Sequence, residues 1–190
     1  MTIVAAVRRP DADALGGPGL VVRHAIADQG PYGRGDPFDA FVVVPDGAAV
    51  DPRTFGDAVM AWRVEEQVPR AGDPAACAVA MVSLMRRRPG STPAEFAGHW
   101  TTRHAPLALR RHVGLADYHQ YVVTETLTPA TPEIDGVAVL GFLTRDDFDT
   151  RFFDSDEGRA EIMADVARFM DRPGPETTLV GPPGPQRPPG

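Results

Sequence analysis

The segment from Met81 to Val123 constrains the possible folds most tightly. Its apolar start, MVSLM, runs into Arg86, Arg87 and Arg88 and then turns through Pro89 and Gly90 into a well-marked helix. Thr92 is placed as N-cap, Pro93 suits the first helical position, and Glu95 stands at the third position of a capping box. Phe96, Trp100 and His104 recur every four residues, so they share one slowly drifting side of the helix. Pro106 lacks an amide proton and its ring meets the carbonyl of Thr102, so the helix is expected to kink or end near His104. Backbone groups are then left seeking partners beside an imidazole. His99 is expected to point away from the His104 face.

The remaining chain is expected to supply strands. Thr2–Val7, Leu20–Ala27 and Phe38–Val44 are apolar runs bounded by Gly, Pro and Asp. The last of these, nearly continuously apolar, suits a strand covered on both faces or an interface strand. Ala12, Ala14 and Leu15 allow at most a helical turn. Asp51 and Pro52 are expected to start a helix with Phe55, Val59 and Met60 on its buried side. Trp62–Val68 reads as an edge strand or an irregular crossing segment. A linker at 71–76 separates this portion from a strand at Cys77–Leu84. Arg110, Arg111 and His112 form a basic turn or a short helix closed by Gly114.

Asp117–Thr124 alternates, with Tyr118 and Gln120 on one side and His119 and Tyr121 on the other. Val137–Leu143 returns as a strand. Asp146 or Asp147 is expected to cap a helix through Phe148, Phe152 and Phe153, and Ile162, Val166, Phe169 and Met170 mark a longer one. Asp165 lies at the edge of that stripe or is a buried acid needing partners. Glu176–Val180 ends the strands, and residues 181–190, rich in Pro and Gly, are expected to form a disordered tail.

Composition narrows the function classes. A net charge of -7 argues against a broad nucleic-acid surface, since phosphate binding needs clustered positive charge. Cys77 is the only cysteine, so no internal disulfide can form. No apolar run is long enough to cross a membrane and the beginning does not read as a secretory signal, so the expectation is a cytoplasmic protein without membrane partners. His99, His104, His112 and His119 do not match a helical zinc motif, and there is no glycine-rich nucleotide fingerprint or serine nucleophile elbow. Neither a metal nor another cofactor is expected.

The order strand, helix, strand, strand, helix, strand in the second portion, with a shortened version before it, suggests an α+β fold of two fused split βαβ units. The chain resembles the EthD-domain family. The resemblance rests on Arg86–Gly90, Phe96, the pair His99 and Trp100, the HAPL segment His104–Leu107, Gly114–Tyr118, Gly141 and Phe142, and Asp165 followed by Phe169. It implies a ferredoxin-like α+β barrel with a pocket between sheet and helices. Here the arrangement would be tandem, with residues 1–70 as a degenerate first half, 77–180 as the EthD-like unit, and a homodimer as the assembly.

His104 is the leading catalytic candidate, because an imidazole titrates near neutrality and can take a proton from a phenol or carbon acid. Tyr118 matches the family tyrosine and could donate to a carbonyl or developing oxyanion. Phe96, Trp100, Phe142 and Phe152 are candidate pocket walls. His99, Tyr121 and Asp165 are candidates for the pocket or its support, Asp165 by holding an arginine or a histidine. Against these stand bland roles: a helix-ending histidine, core aromatics and a simple salt bridge. The expected function is a cofactor-independent lyase or cyclase acting on a small apolar, aromatic or polyketide-like molecule. A noncatalytic ligand-binding or assembly protein and a cofactor-free oxygenase are the alternatives.

Overall fold

Strands that alternate between two apolar environments need cover on both faces and a partner on both edges. In the computed structural model, which describes all residues except 18, 34–36, 49, 129–132, 172–175 and 185–190, both needs are met by closing the sheet. The strands are β1 (Thr2–Pro10), β2 (Val21–Ala25), β3 (Ala40–Val44), β4 (Gly56–Arg70), β5 (Val79–Met85), β6 (Leu115–Thr126), β7 (Gly136–Phe142) and β8 (Glu176–Pro183). Around the barrel the order is β1, β3, β2, β8, β5, β7, β6, β4, and β4 returns to β1. All pairings are antiparallel. The first four strands run fourth, first, third, second, and the last four run in the same order. The β2–β8 seam carries a register shift, and the buried Arg23 spans it, its Nη1 donating to the Gly181 carbonyl at 2.8 Å.

Three apolar clusters follow from the alternation. Phe41, Trp62, Val82, Tyr121 and Val139 fill the barrel interior. Ala5, Val42, Phe55 and Ala61 lie under the short helix α1 (Ala12–Leu15) and the segment around Val50. On the outer face of β5–β8, Phe96, Trp100, Tyr118, Leu140 and Ile162 belong to a layer of sheet and helices. The helices are α2 (Pro93–His99), α3 (Ala105–Arg111), α4 (Arg145–Thr150) and α5 (Asp156–Phe169). Among the described residues no helix is long and apolar enough to cross a membrane.

Several expectations need correction. The helix expected after Asp51 is a single 3-10 turn, Pro52–Thr54; Val59 and Met60 belong to β4. Local propensity loses because Val59 and Met60 pair with Val7 and Ala6 of β1, at the start of a strand that β6 joins from Trp62 onward. Trp62–Val68 is part of β4: Trp62–Val64 lie between β1 and β6, whereas Glu65–Gln67 pair with β6 alone, and the register against β6 shifts after Arg63, so the expected edge and irregularity hold for part of the segment. Its side-chain alternation is hidden because Glu65, Glu66 and Gln67 are exposed in succession after the buried Val64. Thr144, not Asp146 or Asp147, caps α4, which ends at Thr150, before Phe152 and Phe153. Gly181–Pro183 lie in β8 and Gly184 N–H donates to the Val22 carbonyl, so the expected tail falls in part on structured residues. Residues 185–190 lie outside those described.

α2 begins as expected, with the Thr92 side chain on the Glu95 amide and the Glu95 carboxylate on the Thr92 amide. It does not end at Pro106. A π-helical turn at Trp100–His104 joins it to α3, and Ala105 N–H reaches back five residues to the Trp100 carbonyl. The proline ring therefore enters at the start of a fresh α-helical turn. Trp100 packs so close to β7 that a Cβ built on Gly136 would sit 2.5 Å from its ring. Gly136→Ala is expected to cost about 1–3 kcal/mol through overpacking, read as a lower urea midpoint with an unchanged denaturant slope.

Candidate functional site

The π-turn decides which side chains meet. In a continuous α-helix residues five apart lie about 140° from each other around the axis, which is why His99 and His104 were expected on different faces. The wider turn between them brings both rings to α5. His99 Nε2 lies 2.9 Å from Asp165 Oδ1, and His104 Nδ1 lies 3.0 Å from Asp165 Oδ2. The expectation that His99 points away is thus corrected, and Asp165 is a buried acid with histidine partners. Arg111 ties α3 to the start of α5, donating to Glu161 at 2.7 Å and to Asp154 at 2.8 Å.

A carboxylate only accepts, so His104 carries its proton on Nδ1 and leaves the Nε2 lone pair open. Burial lowers the proton affinity of His104 and outweighs the opposing pull of Asp165, so the imidazole is held neutral. Burial would raise the Asp165 carboxyl, but the hydrogen bonds from the two histidines prevail and hold it below the usual carboxylate range.

His104 lines a cavity of about 290 Å³ between the helices and the outer face of the sheet. Met81, Ser83, Ala138 and Leu140 form its floor, and Trp100, Phe152 and Ile162 are among its walls. Tyr118 reaches the same cavity. Its hydroxyl oxygen accepts from Gln120 Nε2 at 2.9 Å and from the Trp100 side chain, leaving the phenolic proton free to be donated. Burial pushes the Tyr118 hydroxyl up to about 12, so it remains a protonated donor.

The other expected residues divide. Phe152 lines the cavity. Phe142 lies behind it, stacked on Phe152 at 5.5 Å. Phe96 packs between Trp100 and Phe169 and borders a separate outer cleft with His99. Tyr121 faces the barrel interior, stacked on His119 at 5.9 Å, away from the cavity. Among the described residues no group of three or more His, Cys, Asp or Glu side chains is placed to hold a metal ion.

Two residues were not singled out from the sequence as part of the site. Gln120 anchors Tyr118; a glutamine on the same strand face as a buried tyrosine was the available signal. His112 also lines the cavity, its Nδ1 donating to the Phe152 carbonyl at 2.6 Å. Its place in the run Arg110–His112 disguised it as part of a basic turn or a short helix.

Residues 88–173 match the model of the EthD domain. A comparison with curated protein sequences finds no match. Among solved structures, an anthrone oxidase-like protein superposes with a TM-score of 0.60 at 10% identity, covering 95% of this chain and 90% of that one. An ethyl tert-butyl ether degradation (EthD) family protein from Bacillus halodurans C-125 aligns with a TM-score of 0.41 at 19% identity, covering 57% of this chain and 98% of that one.

The site generates a pH dependence of stability. Burial lowers His112 from 6.5 to about 4, so in the unfolded chain it binds a proton that the folded chain refuses between those values. Its contribution is complete above about pH 6.5 and is lost as pH falls to about 4, a change of about 3 kcal/mol. His112→Gln is expected to flatten the denaturation free energy over that window relative to wild type. The matched urea series in the two proteins checks this. Residues 88–173, the part of the chain that builds this site, are thus similar to the EthD domain, and the chain as a whole forms a closed α+β barrel.

Proposed function

We propose that this protein is a cofactor-independent lyase or cyclase that removes a proton from a small aromatic or polyketide-like compound. The observation that carries the reading is that His104, held through Nδ1 by Asp165, and Tyr118, held at its hydroxyl by Gln120, line one largely apolar cavity. His104 Nε2 takes a proton from a carbon between two carbonyls. Tyr118 donates to the enolate oxygen, and Asp165 balances the imidazolium that results. In an aldol cyclisation the enolate carbon then attacks a second carbonyl, and the alkoxide recovers the proton from His104.

A cofactor-free oxygenase is the second reading. The same base would ionise an electron-rich phenol for attack on dioxygen, and the superposed neighbour is named as anthrone oxidase-like. Oxygen consumption with such phenols separates the two. A noncatalytic ligand-binding or assembly role predicts binding without turnover.

The proposal extends to the architecture. Residues 1–70 are taken as a degenerate ferredoxin-like half and 77–180 as the EthD-like one, a reading supported by the repeated strand order. Because the barrel closes within one chain, a homodimer would form through an outer face.

Hydrogen–deuterium exchange at the central carbon of benzoylacetone, followed by NMR in deuterated buffer, tests the chemistry. Wild type is expected to accelerate exchange, His104→Gln to lose about 100-fold or more of that acceleration, and Tyr118→Phe to lose a smaller part. Equal rates in wild type and His104→Gln, with the probe bound in both, would leave the noncatalytic reading standing.

A further inference from the structure

The two imidazoles on Asp165 open to different places. His104 borders the inner cavity, whereas His99 borders an outer cleft of about 390 Å³ that it shares with Arg88, Glu95 and Arg168. Phe169 lines both spaces and stands against both rings, with centroids 4.9 Å from His99 and 5.1 Å from His104. The carboxylate is therefore the polar connection through an otherwise aromatic partition. Its remaining charged neighbour is Arg168, with Nη1 3.9 Å from Oδ1 on the exposed side. Nδ1 of His99 makes no hydrogen bond to the described residues, and that edge of the ring is the one left for the cleft.

One buried carboxylate balances one imidazolium well and two poorly, so protonation of one ring disfavours protonation of the other. We infer that His99 is the solvent-side partner of His104 in a proton-exchange pair. When His104 Nε2 takes a proton from a molecule in the cavity, His99 gives its Nδ1 proton to water in the outer cleft. The exchange runs from the form in which the pair's extra proton is on His99 to the form in which it is on His104, with Nε2–H of His99 retained. Asp165 stays a carboxylate, no bond between heavy atoms changes, and the charge of the cluster is constant. His99 is thus a positioning residue that acts through Asp165. The inference rests on the proposed role of His104 as base.

The test uses 4-nitrophenol, whose absorbance distinguishes bound phenol from bound phenolate, at a pH where the free probe is mostly protonated. Proton release is read from the dependence of the binding enthalpy on the ionisation enthalpy of the buffer. Wild type is expected to release about one proton per bound phenolate, and His99→Gln about none with the probe still ionised. In wild type alone, release must also vanish as pH rises through the titration of His99 followed by NMR, while ionisation persists. This second measurement stands if the variant fails to fold. Equal release in the two proteins, or release that persists after His99 has titrated, overturns the exchange pair and leaves His104 as base. A probe that binds without ionising, or does not bind, overturns the proposed function and this inference with it.

Discussion

The geometry of the site depends on one carbonyl oxygen, that of Trp100. It accepts the Ala105 amide across the π-turn, and it accepts Gln120 Nε2 from β6 at 3.2 Å. The first bond turns His99 and His104 to the same acid. The second fixes an amide that also donates to the Tyr118 hydroxyl. Base and phenol are therefore positioned from opposite walls through a shared acceptor. The π-turn also resolves the conflict posed by Pro106, because the helix gains a residue just before the ring that would have broken it.

This explains what could and could not be read from the chain. The start of α2 was legible because Thr92, Pro93 and Glu95 interact with one another across three residues. The faces of β6 were legible because alternation is a local property, and Tyr118 and Tyr121 do lie on opposite sides. β4 was misread because its partners, β1 and β6, lie far away in sequence. The meeting of His99 with His104 was hidden for a different reason. Helical spacing assumes a constant turn, and the single wider turn changes the azimuth of everything after it. Asp165 was recognisable as anomalous in an apolar stripe, but its partners depended on that change.

Barrel closure explains why the cavity lies outside the strands. The interior is filled by Trp62, Phe41, Tyr121 and aliphatic side chains, all buried. On the outer face of β5 and β7, Ser83 and Ala138 are short, and helices rest on the larger residues around them. A rigid floor under mobile rotamers would position a ligand poorly, but here the floor side chains are held by strands paired on both edges. In the first half of the barrel, α1 and loop residues pack directly on Val42 and Ala61.

The remaining question is why a buried acid is tolerated between two histidines. An unpartnered carboxylate there would take up a proton, because desolvation opposes its charge. Donors from two sides reverse that preference, and Asp165 stays charged with only modest exposure. Its negative charge in turn selects the Nδ1–H form of His104, which is the form that leaves Nε2 open to the cavity. Desolvation and hydrogen bonding therefore act against each other at each group but toward one arrangement: a charged acid outside the cavity and a neutral base at its wall.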